Sequence, residues 1–162
     1  DWLVNPSRYS MDAEKWEIIQ DGRPPIDYMK IQVDDGYIHG VEWKRDRSDP
    51  IYDIDNTPSF QGSCWFMSRY CWDTFVGPLD EINYGWFTQE PQEIGMKVWL
   101  GGGRVVVNKK TFYAHWHKQS TNYQFTNAEQ RSFNNSVAKG RTYSFEHWTQ
   151  HPDFAKFMEK WK

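Results

Sequence analysis

The chain has 162 residues, a formal net charge of −3 and no long basic run, which argues against nucleic acid as a partner. Hydrophobic residues make up 38% of the chain and aromatic residues 18%, including ten tryptophans, which is enough to build the core of one domain. No apolar stretch approaches the roughly 20 residues of a membrane span, and no apolar signal segment is present. These absences favour a cytoplasmic location.

The first quarter of the chain predicts a short helix followed by a β-hairpin. Residues 12–20 are predicted to be helical, with Trp16 and Ile19 on the apolar side, and a Gly-Arg-Pro-Pro segment ends this helix. The β-rich runs 28–33 and 37–43 flank Asp-Asp-Gly, which is a strong turn signal between strands.

Residues 44–58 are charged and contain proline, so they predict an exposed loop. Asp53 and Asp55 form a D-x-D string there, which we interpret as turn-forming rather than metal-binding because no apolar strand precedes it. Cys64 and Cys71 lack the spacing of metal ligands and are too few for a disulfide framework. We therefore expect reduced, buried thiols.

An acidic helix and a buried strand follow. Glu90 and Glu93 lie about one helical turn apart and so share a face of the predicted helix. Pro91 suits the first turn, where its missing N–H costs no hydrogen bond. Three glycines at 101–103 predict the end of this helix, and residues 104–107, Arg-Val-Val-Val, predict a buried strand.

The last third of the chain is predicted to be helical. Residues 118–125 are polar and irregular, and residues 128–138 favour a helix. Phe154, Phe157 and Trp161 follow the spacing of an amphipathic terminal helix, together with Met158.

The residue order around the acidic helix resembles a known family. The pattern E-x-x-E-x-x-x-K-x-W-x-x-G-G, followed by a histidine twelve residues after the last glycine, is similar to the carboxyl-terminal half of GT-A fold glycosyltransferases. The nearest resemblance is to family 2 enzymes and the polypeptide N-acetylgalactosaminyltransferases. The matching residues are Glu90, Glu93, Lys97, Trp99, Gly102, Gly103 and His115. Upstream, P-S-F-Q-G at 58–62, C-W-F-M-S-R at 64–69 and G-P-L-D-E at 77–81 resemble segments that precede this helix.

The resemblance, which covers residues 43–118, implies an α/β fold with a mixed sheet and flanking helices. It would be a partial GT-A fold lacking the amino-terminal nucleotide-binding half. Residues 1–162 are expected to form a single domain, in which residues 119–162 are a carboxyl-terminal helical extension. The abrupt opening at Asp1 is expected to lie in the middle of a longer protein.

The resemblance also assigns roles. Glu90 and Glu93 are the expected catalytic residues, with Glu90 nearer the acceptor as a candidate base and Glu93 orienting Lys97 or binding sugar hydroxyls. His115 is the expected ligand of Mn²⁺ or Mg²⁺, because neutral imidazole suits such an ion. His117 shares its strand face but has no clear family match. The expected substrate-binding residues are Trp86, Gln89, Lys97, Trp65 and Gly62.

The implied activity is transfer of a sugar from a nucleotide-diphosphate donor to a hydroxyl of a glycan, protein or lipid-linked acceptor. Inverting family 2 enzymes commonly carry Asp where this chain has Pro91, and the E-x-x-E form is more like the retaining enzymes, so the stereochemistry stays open. Alone, the chain is expected to be poorly active, since the donor half or a partner chain would be missing. An exposed sheet edge could also pair two copies into a homodimer.

Two other classes of function compete with this interpretation. A carbohydrate-binding module would present tryptophans such as Trp65, Trp72 or Trp86 along a shallow groove, with Glu90 pointing to solvent. A structural or assembly domain would instead use its aromatic residues as an interface between subunits.

Overall fold

The computed structural model describes residues 1–44, 52–85, 89–116 and 125–161. The strands are β1 (Trp2–Asp12), β2 (Glu17–Ile18), β3 (Met29–Asp34), β4 (Tyr37–Glu42), β5 (Ile54–Asn56), β6 (Phe66–Met67) and β7 (Arg104–His115). The helices are α1 (Arg69–Cys71), which continues as a π-helical turn over Trp72–Val76, α2 (Glu81–Tyr84), α3 (Glu90–Leu100), α4 (Asn127–Thr149) and α5 (Phe154–Glu159).

A mixed sheet forms the centre of the molecule. Within the described residues its order is β2-β1-β7-β5, and β6 also pairs with β1. β1 and β7 run parallel along most of their length, whereas β2, β5 and β6 pair antiparallel with their neighbours. β3 and β4 make a separate antiparallel hairpin. The predicted α/β class with a mixed sheet and flanking helices is therefore present.

Two apolar clusters hold the helices to the strands. The first lies between α3, the sheet and the α1 region, and its buried members are Leu3, Phe60, Cys71, Val76, Ile94, Val98 and Val105. The second joins the hairpin to the carboxyl-terminal helices through Ile31, Ile38, Met96, Trp148, Phe154 and Phe157. Because α3 contributes to both clusters, the helix is held from two sides.

The acidic helix and the following strand match their predictions. α3 begins at Glu90 with Pro91 in its first turn, and it ends at Leu100. Gly102 has φ 96°, the left-handed conformation that glycine accepts without strain. Gly103 N donates to Val98 O at 2.8 Å, which closes the helix end. The three valines of the predicted strand are completely buried, and the strand extends further than expected, to His115.

The helix predicted over residues 12–20 is wrong. This segment contains the end of β1, a turn and β2, which folds back on β1. The amides of Glu14 and Lys15 donate to Asp12 Oδ1 at 3.0 and 3.1 Å, and Trp16 has φ 56°. The aspartate side chain thus stabilises a turn in place of a helical start. Trp16 is 80% exposed, so it does not pack on an apolar helix face as predicted.

The loop prediction for residues 44–58 is correct only in part. Residues 45–51 lie outside the described residues, but Ile54–Asn56 is strand β5 and pairs with β7. Asp53 forms an ion pair with Lys110 at 2.6 Å, and Asp55 accepts a hydrogen bond from Tyr28 at 2.9 Å. The D-x-D string therefore joins this edge strand to its neighbours.

Other predictions are confirmed. The hairpin turns at the expected Asp-Asp-Gly, and α4 covers the helix expected over residues 128–138 but runs longer. The amphipathic terminal helix is α5. Both cysteines are unbridged, and Cys71 is buried as predicted, whereas Cys64 is only partly buried. Most of residues 118–125 lie outside the described residues. No helix in the described part of the chain is long and apolar enough to cross a membrane.

Candidate functional site

A pocket of about 420 Å³ opens at the amino-terminal end of α3. It lies between α3, the α2 region and the loop before α2. Its lining residues are Leu79, Asp80, Glu81, Tyr84, Gly85, Gln89, Glu90 and Glu93. Three of the residues predicted from the sequence, Gln89, Glu90 and Glu93, therefore lie in one cavity. Four of the lining residues carry carboxylates, so the pocket favours neutral or cationic ligands over anions.

Glu93 lies at the inner wall of this pocket and is 3% exposed. Its Oε1 accepts hydrogen bonds from Lys97 Nζ at 2.6 Å and from the Asp80 amide at 3.0 Å. Lys97 Nζ also donates to Pro78 O at 3.0 Å. The predicted Glu93–Lys97 pair is present, and it ties the loop before α2 to α3.

Glu90 lies one helical turn away in different surroundings. Its carboxylate makes no hydrogen bond or ion pair with any described residue, although the side chain is half-buried. Burial and, to a smaller degree, the negative charge of Glu93 raise the pKa of Glu90. A half-buried carboxylate of this kind is a candidate general base or acid.

Asp80 also lines the pocket, but its surroundings favour the ionised form of its carboxyl group. It caps α2 by accepting hydrogen bonds from the Asn83 amide at 3.0 Å and from Asn83 Nδ2 at 2.7 Å. These bonds, with a smaller contribution from Tyr143 of α4, lower the pKa of Asp80. Two carboxyl groups of one pocket thus have pKa values shifted in opposite directions, an arrangement common in acid–base sites.

Tyr84 and Tyr143 were not predicted from the sequence to belong to the site. Tyr84 lines the pocket, and its ring packs edge-to-face on Tyr143 at 5.0 Å between centroids. Tyr143 lies about sixty residues after Tyr84 in the chain, so no local pattern could reveal the pair. For Asp80 a signal existed, because it belongs to the G-P-L-D-E segment of the resemblance.

Gly62 contacts the start of α3. A Cβ at Gly62 would lie 3.0 Å from Pro91 Cγ, so glycine permits the close approach of this turn to the residue after Glu90. Next to it, Ser63 Oγ is hydrogen-bonded to the Tyr113 hydroxyl at 2.6 Å. The contacts Gly62–Pro91 and Ser63–Tyr113 thus connect the entry of α3 to the carboxyl-terminal part of β7.

His115 lies at the end of β7, in register with Ser10 of β1, and does not line this pocket. Burial and the positive charge of Arg8 lower the pKa of His115, which keeps its imidazole neutral at pH 7. The neutral form is the one that binds metals. Among the described residues, however, no group of three or more His, Cys, Asp or Glu side chains could hold an ion. His115 therefore belongs to no such group of described residues, and His117 lies outside the described residues.

Trp65, which was predicted to bind substrate, does not line this pocket. Trp65 and Trp72 stack on each other with 6.2 Å between centroids and 3° between planes. Both pack against the first apolar cluster. Trp65 therefore contributes to the core, and Trp86 lies outside the described residues.

Comparisons with known proteins do not assign the chain to a family. No protein-family model matches the chain, and no curated protein matches it significantly. The chain is therefore described by its mixed α/β fold and by the carboxylate-lined pocket at the start of α3.

Proposed function

We propose that this chain is the acceptor-side portion of a nucleotide-sugar-dependent glycosyltransferase with a GT-A fold. The observation that carries the proposal is the Glu90 carboxylate, which has no partner among the described residues and lines a pocket. The resemblance assigns the acceptor-facing acid to this same residue. The pocket's excess of carboxylates suits a neutral, hydroxyl-rich acceptor.

In the proposed reaction, the acceptor hydroxyl oxygen bonds to the anomeric carbon of the donor sugar. The bond from that carbon to the diphosphate oxygen breaks, and the diphosphate leaves with the electron pair. The hydroxyl proton passes to Glu90, whose raised pKa makes it a better proton acceptor than an ordinary glutamate. Glu93 holds the loop before α2 through Lys97 and the Asp80 amide and so keeps the pocket open beside Glu90.

A divalent ion, when bound, would neutralise the charge of the departing diphosphate. His115 would supply one neutral imidazole ligand, and the remaining ligands would come from outside the residues described here. Gln89, which is 2% exposed and lines the pocket, would orient the acceptor.

The test is a transfer assay on the protein encoded by the complete gene, with Mn²⁺, a panel of nucleotide-diphosphate sugars and a panel of hydroxyl acceptors. We expect glycosylated product and free nucleoside diphosphate in equal amounts. Glu90→Gln should lower the rate by about a hundredfold, the usual contribution of a positioned general base. Glu146→Gln, an exposed glutamate on α4, is the matched control and should leave the rate unchanged.

Two outcomes would contradict the proposal. Saturable glycan binding without transfer from any donor, unaffected by Glu90→Gln, would favour the carbohydrate-binding module. Neither binding nor transfer, together with a stable oligomer, would favour the assembly domain.

A further inference from the structure

The turn between β1 and β2 presents an indole ring to solvent. Trp16 is 80% exposed, more than any other described tryptophan, and its side chain makes no hydrogen bond or ring contact with any described residue. It lines neither the pocket at the start of α3 nor a second pocket of about 640 Å³, whose lining includes Arg8 and Ile19. An indole stabilises a fold mainly through the apolar area that it buries, so this ring contributes little to the fold.

The backbone of Trp16 has a conformation that a large side chain adopts only at a cost. Its φ is 56°, in the left-handed region, and every other described residue with a positive φ is a glycine. Glycine would adopt the same conformation without strain. Because burial of the ring does not offset the strain, the tryptophan points to a role outside the folding of the chain.

Hydrogen bonds fix the turn that bears this ring. Asp12 Oδ1 accepts hydrogen bonds from the amides of Glu14 and Lys15 at 3.0 and 3.1 Å. After the turn, the chain pairs with β1 again, and the Ile19 amide donates to Ser10 O at 2.9 Å. A partner that binds here would therefore not have to order the turn first, which lowers the entropic cost of binding.

Negative charge flanks Trp16 along the chain. Glu14 and Glu17 are exposed, and their carboxylates make no hydrogen bond or ion pair with any described residue. The cation of the turn, Lys15, lies 3.9 Å from Asp12 Oδ2, so these two charges balance each other in part. The turn therefore attracts a positively charged partner and repels an anionic surface.

We propose that the β1–β2 turn is a docking surface for an arginine-bearing segment of a partner protein. The guanidinium of the partner stacks on the exposed ring of Trp16, and its N–H groups donate to the carboxylate of Glu14 or Glu17. Arginine suits this surface better than lysine because its planar head group can stack and donate hydrogen bonds at the same time. The inference does not depend on the proposed transfer activity.

The test is an NMR titration of the 162-residue protein with a short peptide of alternating arginine and alanine, in which the indole N–H signal of Trp16 is followed. Peptides of the same length carry lysine or glutamine in place of arginine. We expect the arginine peptide to bind at least about tenfold more tightly than the glutamine peptide, with the lysine peptide between them. Equal affinities of the arginine and glutamine peptides, or a Trp16 signal that does not shift at saturation, would overturn the proposal.

A variant of the tryptophan separates recognition from stability. Trp16→Gly should weaken binding of the arginine peptide about fivefold and should melt no lower than the parent protein, because glycine accepts the left-handed backbone. Phe66→Ala is the matched control and should bind the peptide like the parent, since Phe66 is 63% exposed and has no acidic neighbour in the chain. A lower melting temperature of Trp16→Gly would show that the ring serves the fold and would contradict the proposal.

Variants of the carboxylates locate the bound peptide. Glu14→Gln and Glu17→Gln should each weaken binding of the arginine peptide about twofold, the usual effect of an exposed ion pair, whereas Glu146→Gln should not. Binding that is lost in Glu90→Gln and retained in Trp16→Gly would place the peptide in the carboxylate-lined pocket and overturn the inference.

A membrane contact is the other common use of an exposed tryptophan. Sedimentation with vesicles of phosphatidylcholine, alone or mixed with phosphatidylserine, should leave the protein in the supernatant. Sedimentation of the parent protein with either kind of vesicle that Trp16→Gly abolishes would overturn the assignment of this turn to a partner protein.

Discussion

Glu90 and Glu93 share one face of α3, but their surroundings give them different properties. Glu93 is held by Lys97 and by the amide of Asp80, so its charge is balanced. Glu90 has no partner among the described residues, and burial disfavours its ionised form. The two residues therefore separate into a paired carboxylate and one without a partner among the described residues, although the sequence presents them as an equivalent pair.

Glu90→Gln should stabilise the fold near neutral pH. The pKa of Glu90 is raised in the folded state, so the folded protein binds its proton more tightly than the unfolded chain does. Stability from this group is therefore full below the unfolded pKa and is lost as the pH rises through the folded pKa. Chemical denaturation at several pH values should show that the variant lacks this loss, whereas Glu146→Gln should keep the parent profile. A lower stability of Glu90→Gln at pH 7 would contradict the unpaired state of Glu90.

The same raised pKa predicts the pH dependence of the proposed activity. A general base must be ionised to accept a proton, so the rate should fall as the pH decreases through the pKa of Glu90. Because that pKa is raised, the fall should begin at a higher pH than for an ordinary glutamate. A rate profile that is flat down to the ordinary glutamate range would exclude Glu90 as the base.

Glu93→Gln should instead destabilise the protein. The substitution removes the charge that balances Lys97 and weakens the acceptor of the Asp80 amide, which we expect to cost about 1 to 3 kcal/mol. Urea denaturation measures the loss, and a double-mutant cycle with Lys97→Met isolates the pair. Additive effects of the two substitutions would show that the pair contributes no coupling energy.

At the scale of elements, the contact between α2 and α4 shapes the outer wall of the pocket. Gly140 of α4 faces the backbone of α2, and a Cβ there would lie only 2.0 Å from Tyr84 O. A Cβ at Gly85 would likewise meet Ser136 of α4. These two glycines let the helices approach closely enough for Tyr143 to reach Asp80 and Tyr84.

Gly140→Ala tests this close contact. In an exposed helix interior, replacing glycine by alanine stabilises by about 1 kcal/mol. Here the added methyl group overlaps a backbone carbonyl that cannot rotate away, so we expect a loss of about 3 kcal/mol. Thermal denaturation shows whether the variant is less or more stable than the parent protein. Asn135→Ala on the exposed face of α4 is the matched control. A stabilised Gly140→Ala would show that α2 does not pack on α4 in this way.

Local sequence signals predicted an element well where the contacts that form it lie close to those signals in the chain. The hairpin, the ends of α3 and the valine strand all follow from turn residues and periodicity within a short window. The helix predicted over residues 12–20 is absent because a local side-chain contact and a strand pairing both oppose it. There the side chain of Asp12 accepts the next amides and turns the chain, and the pairing of β2 with β1 outweighs a weak helical pattern.

At the scale of the whole molecule, α3 links the two apolar clusters. Ile94 and Val98 belong to the first cluster, and Met96 belongs to the second. Disruption of the first apolar cluster would therefore also expose the buried face of α3, the helix that bears Glu90. The predicted homodimer stays a prediction.

Chemical labelling of Cys71 would report disruption of the first apolar cluster, to which this residue belongs. It is 0% exposed in the first cluster, and burial raises the pKa of its thiol as well as that of the partly exposed Cys64. A thiol reagent should therefore label Cys64 slowly in the folded protein and Cys71 only when the core opens. Mass spectrometry of labelled peptides at increasing urea concentration measures the two rates. Equal labelling of both cysteines in the absence of urea would contradict the buried position of Cys71.

Four features of the fold could be predicted from local sequence patterns: the α/β class, the hairpin, the acidic helix with its glycine stop and the buried strand after it. It also singled out Glu90, Glu93 and Lys97. These features depend on residues within a few positions of one another, where periodicity and turn chemistry act.

Contacts in the folded chain were needed to show which glutamate is paired, that Trp65 packs against the core, that Tyr143 reaches Asp80, and that Arg8 lines a second pocket. Each of these depends on contacts between segments far apart in the chain. Burial and pairing, which set the pKa and the reactivity of a side chain, exist only once those segments have come together.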